Sequence, residues 1–392
     1  MLASVIFGQS SDDLQTIVLK GGLKDKVFIF FTIEYPQLTF IRSGNKFKAS
    51  ATFSVEVYDS TMNLYRDKKT KEVFVENYKQ TKLPKELGFL FYVDLPTGDY
   101  FLKSTLYLNN ESSLVTFPTK KINGTSSIDY IPYLVLKDNI NNGKGKVVSL
   151  GDYYPLNNET NTLVFLTNTD LTDANLVVKQ FGNVIFKGKL SFDSLKFINL
   201  HLSDGELFAQ FQHGISELNT YQSVGAFSKL IPGKASIFID NGKSTFHRNI
   251  NVYWKHKPKI FNNWDAIVEV MSFVFPEKEI KKLKNSNSKT QMRDIFSVWA
   301  KYDDDSTTAY NPLMDEFFRR VDYADEHFSV SKKLRGYLTD RGKIFIQNGK
   351  PFNIKRDFTD LDFSREIWSY GNRKFIFIDK RGLGEYKLSG VK

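Results

Sequence analysis

The sequence predicts a multidomain, mainly β protein with two tandem immunoglobulin-like β-sandwiches followed by an α+β C-terminal domain. Over residues 10–125 and 130–256, apolar residues alternate with polar ones or form short runs, which is typical of strands. From residue 260 the apolar spacing becomes helical before strand-like segments return. The length of 392 residues fits several domains of roughly 100–200 residues each.

The composition excludes several classes of site. The chain has no cysteine, so it can form no disulfide framework, thiolate metal site or cysteine nucleophile. Its 54 Lys+Arg exceed its 44 Asp+Glu by 10, but the two signs are interspersed. This pattern favours solvated faces over a nucleic-acid or anionic-lipid surface, because such surfaces need clustered basic residues.

The first nine residues are mostly apolar and end in Gly8 and Gln9. They resemble the end of a truncated signal peptide without its basic region, and a buried first strand is the alternative. The run is too short to cross a bilayer, which takes about 20 residues. No later segment is long and apolar enough, so we predict no transmembrane segment.

The first β block contains the clearest strand. Over Lys46–Tyr58 apolar and polar residues alternate strictly, which indicates one face in a core. Leu95–Tyr100 reads Leu-Pro-Thr-Gly-Asp-Tyr, a turn that resembles the strand corner of bacterial immunoglobulin-like domains. The loop-rich stretch at about 120–145 predicts a domain boundary.

In the second β block, Phe181–Val184 predicts a hairpin turn because Gly and Asn tolerate positive φ.

The third block, residues 260–392, mixes helices and strands. Asn311 followed by Pro312 predicts the start of a helix running to about Phe328. Lys343–Gln347 is predicted to be a strand. Further helices are predicted at Asn263–Phe275, Glu277–Leu283 and Thr290–Lys301, and further strands around Ile367 and Phe375–Ile378.

One segment of the third block resembles a known family. Gly336–Gly342 reads Gly-Tyr-Leu-Thr-Asp-Arg-Gly, similar to the Gly-Trp-x-Thr-Asp-Arg-Gly signature of the bacterial GWxTD domain. Ordered similarities extend over about a third of the chain. The positions that match the family pattern are Trp299, Asn311, Arg320, Gly336, Thr339, Asp340, Arg341, Gly342, Glu366 and Trp368, with Tyr337 at the place of the naming Trp.

The sequence departs from the family pattern at several positions. Besides Tyr337, Tyr302 replaces an Arg, Asp304 and Ser306 replace prolines, and Pro312 replaces a Glu. The chain therefore resembles a divergent member. The resemblance implies a bacterial, exported protein, periplasmic or extracellular, with possible association with the cell envelope. It implies no enzymatic activity and no cofactor.

The motif residues allow two interpretations. In the structural one, Gly336 and Gly342 supply unusual backbone angles, Thr339 and Asp340 cap a turn, and Arg341 forms an ion pair. Asp340 and Glu366 are the candidate partners of Arg341. In the other, Thr339, Asp340 and Arg341 bind an external group such as an anion, and the aromatic residues Trp299, Tyr337 and Trp368 form a stacking platform.

Other candidate sites are weaker. Asp303–Asp305 suggests Ca²⁺, but the glycine and distal glutamate of a calcium loop are missing, which favours a solvated loop. The five histidines have no metal-ligand spacing, and no catalytic motif is present.

The sequence thus predicts a non-enzymatic structural or assembly protein with a protein partner. One alternative is carbohydrate or peptide binding through Tyr153 and Tyr154. Another is an acid–base enzyme near Asp340, Arg341 and Glu366.

Overall fold

The computed structural model describes residues 14–21, 24–109, 113–122, 131–137, 143–213, 218–357 and 363–392. The predicted signal segment 1–9 lies outside these ranges, as do parts of the predicted boundary loop at 120–145. The chain divides into two compact units, Met1–Tyr253 and Trp254–Lys392. The first is built of strands, and the second combines helices with a sheet, so the protein is mainly β with a helical C-terminal region.

The first β block consists of two antiparallel sheets. One has the order β1-β2-β6; the other has the order β3-β4-β7-β8, with β5 on β4 and β9 on β7. The strands are β1 (Leu14–Gly21), β2 (Lys24–Glu34), β3 (Ile41–Ser43), β4 (Lys46–Tyr58), β5 (Asn63–Val75), β6 (Glu86–Pro96), β7 (Tyr100–Leu108), β8 (Ser113–Thr116) and β9 (Lys120–Ile122).

A single apolar core lies between these two sheets. Its centre is the stacked pair Phe31 and Phe53, whose ring centroids are 4.1 Å apart, one ring from each sheet. The predicted alternation of β4 is confirmed, since Phe53, Val55 and other residues of the same parity are buried. At the predicted corner, the buried Tyr100 donates its hydroxyl proton to the carbonyl oxygen of Pro96.

Strand β2 is buried on both faces. Ile29 and Phe31 point into the core just described, whereas Phe28 and Phe30 belong to a second core together with residues of the next block, such as Leu166. The side-chain oxygen of Gln15, on β1, also accepts a hydrogen bond from the backbone N–H of Leu150 at 2.8 Å. The sheet β1-β2-β6 is therefore the middle layer that joins the two β blocks in one unit.

The second β block contains a closed ring and a separate sheet. Six strands close in the order β10-β11-β17-β16-β18-β13, and five more form the sheet β12-β20-β19-β14-β15. The strands are β10 (Tyr133–Leu136), β11 (Lys144–Leu150), β12 (Tyr153–Pro155), β13 (Thr162–Thr167), β14 (Asn175–Gln180), β15 (Asn183–Lys189), β16 (Ser191–Ser203), β17 (Glu206–Gln212), β18 (Leu218–Val224), β19 (Gly233–Asp240) and β20 (Thr245–Tyr253).

The predicted hairpin at Phe181–Val184 is present between β14 and β15. Its two turn residues are Phe181 and Gly182, with φ of 49° and 81°. Two positive φ values are the requirement of a type I′ turn, which suits the twist of the flanking strands. The residue under strain is thus Phe181, while Asn183 begins the strand.

The described part of the C-terminal unit contains five α-helices and one antiparallel sheet, whose strand order is β21-β22-β23-β24. The elements are α1 (Trp264–Met271), α2 (Glu277–Lys284), α3 (Gln291–Trp299), α4 (Pro312–Phe328), α5 (Asp340–Asn348), β21 (Asn353–Asp357), β22 (Ser364–Tyr370), β23 (Arg373–Asp379) and β24 (Lys387–Val391). Within the described ranges, no helix is long and apolar enough to cross a membrane.

The predicted strand Lys343–Gln347 is wrong, because these residues lie in helix α5. Only Ile344, Phe345 and Ile346 are consecutive and apolar, and so short a run fits either a strand or a helix. The flanking residues decide the outcome. Thr339 caps the start of the helix, and Gly349 follows its end with a φ of 76°.

Candidate functional site

The motif Gly336–Gly342 connects helix α4 to helix α5. Gly336–Leu338 form a short 3₁₀ helix, and Thr339 is the N-cap of α5. The Thr339 hydroxyl donates to the carbonyl oxygen of Gly336 at 2.8 Å and accepts from the backbone N–H of Gly342 at 3.0 Å. The predicted capping role of Thr339 is thus seen in its hydrogen bonds.

The two motif glycines are needed for close packing. The structure corrects the prediction of unusual backbone angles, since neither Gly336 nor Gly342 has a positive φ. A Cβ atom added to Gly336 would lie 1.9 Å from the carbonyl oxygen of Ala324 in α4. One added to Gly342 would lie 1.9 Å from the carbonyl oxygen of Gly336. At each of these two positions, the glycine lies so close to another backbone segment that only a hydrogen atom fits between them.

Asp340 connects the start of helix α5 to the sheet. Its carboxylate accepts a hydrogen bond from the backbone N–H of Leu388, in the edge strand β24, at 2.7 Å. At the first position of α5 the negative charge also lies at the favourable end of the helix dipole. Asp340 therefore covers part of an open sheet edge.

Arg341 and Glu366 form the centre of a buried ionic cluster. Their side chains approach to 3.4 Å, and Glu366 is only 3% exposed. The other carboxylate oxygen accepts from Arg356 at 3.0 Å, and the indole N–H of Trp368 also donates to Glu366, at 3.0 Å. The Arg341 guanidinium lies over the ring of Tyr386, 4.1 Å from its centroid. Of the two candidate partners of Arg341, the structure selects Glu366.

The upstream family positions also hold elements together. The Asn311 side chain accepts from the backbone N–H of Met314 at 2.8 Å and donates to the carbonyl oxygen of Trp299 at 3.1 Å. Trp299 and Trp368 are both buried, as expected for core aromatic residues. Arg320 bonds Glu316 at 2.7 Å and reaches the carbonyl oxygen of Ile346, near the end of α5, at 3.4 Å.

Tyr337 differs from the other motif residues. It is only 7% exposed, yet its hydroxyl has no hydrogen-bond partner among the described residues. Burial raises the pKa of its phenol, and Arg335 and Asp325 also act on it electrostatically. All three residues line one open cleft of about 620 Å³ in the C-terminal unit. A cleft of this size falls in the range of ligand sites, about 300–1,000 Å³.

Sequence reasoning missed this cleft, because its walls come from segments that are far apart in the chain. They are the 3₁₀ turn Lys259–Asn262, the start of α1, the middle of α4 and the segment ahead of Gly336. The sequence did contain one signal for the cleft: Asp325 and Arg335 carry opposite charges and flank the loop that follows α4. These two side chains form an ion pair that closes one wall.

The remaining candidate residues are engaged by neighbouring groups of the protein. The carboxylates of Asp303 and Asp305 accept backbone N–H bonds within their own loop, at 3.2 and 2.9 Å. Over the described ranges, no cluster of three or more His, Asp or Glu side chains is suited to hold a metal. Tyr154 is 2% exposed and bonded to Asn161 at 2.6 Å, so it cannot stack on a sugar. Tyr153 is half-buried, with the Lys120 ammonium over its ring.

Comparison with known proteins gives one family match. The GWxTD domain matches residues 236–382. The match begins inside β19, ahead of the predicted start at residue 260, and ends before β24. No curated protein matches the chain.

Two solved structures show weak likeness to the chain. One is the C-terminal domain of the Streptococcus pyogenes antigen I/II-family protein AspA, with 7% identity, coverage of 62% of this chain and 99% of that chain, and a TM-score of 0.17. The other is named BspA_C_mut, with 10% identity, coverage of 61% and 98%, and a TM-score of 0.15. TM-scores this low support no argument about fold or function. The match of the GWxTD domain model to residues 236–382 confirms the resemblance carried by the motif.

Proposed function

We propose that this chain is an exported bacterial protein with a structural or assembly role and no enzymatic activity. In this proposal the C-terminal unit binds a protein partner, and the β blocks act as immunoglobulin-like spacer or adhesive modules. The location, periplasmic or extracellular, rests on the family resemblance. The Tyr100 hydroxyl, bonded to the carbonyl oxygen four residues back, supports the immunoglobulin-like assignment, since such domains use a tyrosine in this way.

One observation supports the proposal above all: the polar side chains of the motif form hydrogen bonds within the C-terminal unit. Thr339, Asp340 and Arg341 are all bonded to other parts of the same unit. Groups engaged in this way position helices and strands, and they are not poised to act on a substrate. The motif is therefore interpreted as a scaffold that shapes a surface for another molecule.

The enzyme alternative near Asp340, Arg341 and Glu366 finds less support. A general acid or base must reach its substrate within about 3 Å or through one water. Glu366 is buried and held by two arginines and an indole N–H, which leaves little room for a reacting group. Carbohydrate binding through Tyr153 and Tyr154 is likewise disfavoured by the burial of Tyr154.

The test is co-purification from the native bacterium. The full-length protein carries a C-terminal affinity tag, and cells are fractionated before capture and mass spectrometry. We expect the protein in the envelope or medium fraction, together with at least one protein partner in comparable amount. Recovery from the cytosol alone, as a monomer without a partner, would overturn the proposal.

A further inference from the structure

The cleft beside Tyr337 has a rigid wall in which the charges are already paired. Asp322 accepts hydrogen bonds from the backbone N–H groups of Lys259 and Ile260, at 2.6 and 3.1 Å. Asp325 accepts from Arg335 at 2.9 Å and from the backbone N–H of Gly336 at 3.1 Å. These bonds pair both acids and fix the walls against each other, so the cleft is preformed.

A second set of lining groups has no partner among the described residues. It comprises the ammonium groups of Lys259 and Lys332, the carboxylate of Glu326 and the hydroxyl of Tyr337. Exposed lysines are ordinary, because water solvates them. The hydroxyl of Tyr337 is less ordinary, because the residue is only 7% exposed and the hydroxyl still has no partner among the described residues. Tyr337 lines the cleft together with Arg335 and Asp325.

The free groups define the chemistry of a ligand. Two cations and a phenolic donor suit carboxylates, whereas Glu326 needs a hydrogen-bond donor. Buried Ile260, Ala266 and Val321 add apolar lining. An acidic protein segment offers all three kinds of group, since it carries side-chain carboxylates, backbone N–H donors and apolar side chains. A polyuronate also carries carboxylates and hydroxyl donors, but unlike a protein segment it has no apolar side chains to lie against Ile260, Ala266 and Val321.

We propose that this cleft binds an acidic segment of a partner protein, with Tyr337, Lys259 and Lys332 contacting its carboxylates and Glu326 accepting from its backbone. This inference rests on the proposed function and names the chemistry of the partner. It also gives the tyrosine at the family's tryptophan position a binding role in this chain. The hydroxyl, which an indole lacks, would donate directly to a carboxylate.

The experiment measures fluorescence anisotropy with the full chain and a fluorescein-labelled peptide of four Gly-Asp repeats. Four Gly-Asn repeats are the neutral control. We expect binding of the acidic peptide, and about tenfold or greater weakening in Tyr337→Phe, because a hydrogen bond to a charged group is worth at least that factor. Lys332→Ala should weaken binding too. Lys355→Ala, which removes an exposed lysine on β21 outside the cleft, should not.

Several results would overturn the assignment. They are equal affinity for the two peptides, unchanged binding by Tyr337→Phe, an equal loss in Lys355→Ala, or tighter binding of labelled oligogalacturonate than of the peptide. Tyr337→Phe keeps the ring and removes a hydroxyl without an internal partner, so it should fold normally, as tryptophan fluorescence can verify. If the native partner is captured equally by wild type and Tyr337→Phe, the proposed function stands and the cleft assignment falls.

Discussion

Replacing Gly342 by alanine tests whether the motif glycines serve close backbone contact. The added Cβ would lie 1.9 Å from the carbonyl oxygen of Gly336, although real Cβ atoms essentially never come within 3.0 Å of such an atom. The backbone must therefore move by about 1 Å, and no side-chain rotation can relieve the clash. Overpacking costs about 1–3 kcal/mol and occasionally more. Alanine regains up to about 1 kcal/mol of helix propensity. Because the clash is with backbone, the upper end of the cost applies, and less the helix-propensity gain the net loss should be about 2 kcal/mol.

The assay is urea unfolding followed by tryptophan fluorescence. All four tryptophans, at positions 254, 264, 299 and 368, lie in the C-terminal unit, so their emission reports on that unit alone. Gly390→Ala is the matched control, because its Cβ would meet nothing within 4 Å and its φ is not left-handed. A Gly342→Ala protein as stable as the Gly390→Ala protein would refute the close-contact reasoning.

Three further predictions concern the ionic cluster, the hairpin turn and alkaline stability. Glu366→Ala leaves the buried guanidinium of Arg341 without its carboxylate and should lower the stability of the C-terminal unit by about 3–5 kcal/mol in the same urea assay, with a smaller loss for Glu366→Gln; no loss would contradict the cluster. Phe181→Asn should raise the stability of the β unit, measured by urea unfolding and far-UV circular dichroism, by about 0.5–1 kcal/mol, because asparagine tolerates the positive φ better; a decrease would mean that the packing of the Phe181 ring outweighs the turn. Burial raises the pKa of Tyr154 to about 12 from 10.0, so its neutral form stabilises the fold below pH 10.0 and that contribution disappears as the pH rises through about 12. Stability measured from pH 9 to 12.5 should fall over that window, and less steeply in Tyr154→Phe.

The features that could be predicted from the sequence are those with local signals. The alternation in β4 required only a period of two, and the start of α4 required only Asn311 before Pro312. The motif identified the GWxTD domain although its naming residue is Tyr337. In each case the physical cause lies within a few residues of its effect.

Other features depend on contacts that no local pattern reveals. A glycine needed for positive φ and one needed for close contact look the same in a sequence, which is why the role of Gly336 was misjudged. The same applies to Asp340, whose partner Leu388 lies far along the chain. Helix α5 was predicted to be a strand because its three consecutive apolar residues fit the periodicity of a strand as well as that of a helix. The cleft beside Tyr337 forms only when four separate segments meet.

The burial of β2 on both faces has a consequence for the independence of the two β blocks. Separating the chain between residues 122 and 131 would leave Phe28 and Phe30 in water, because their neighbours belong to the second block. The two blocks should therefore behave as one cooperative body. Since β2 is also hydrogen-bonded along both edges, its amide protons should be among the last of this unit to exchange with solvent.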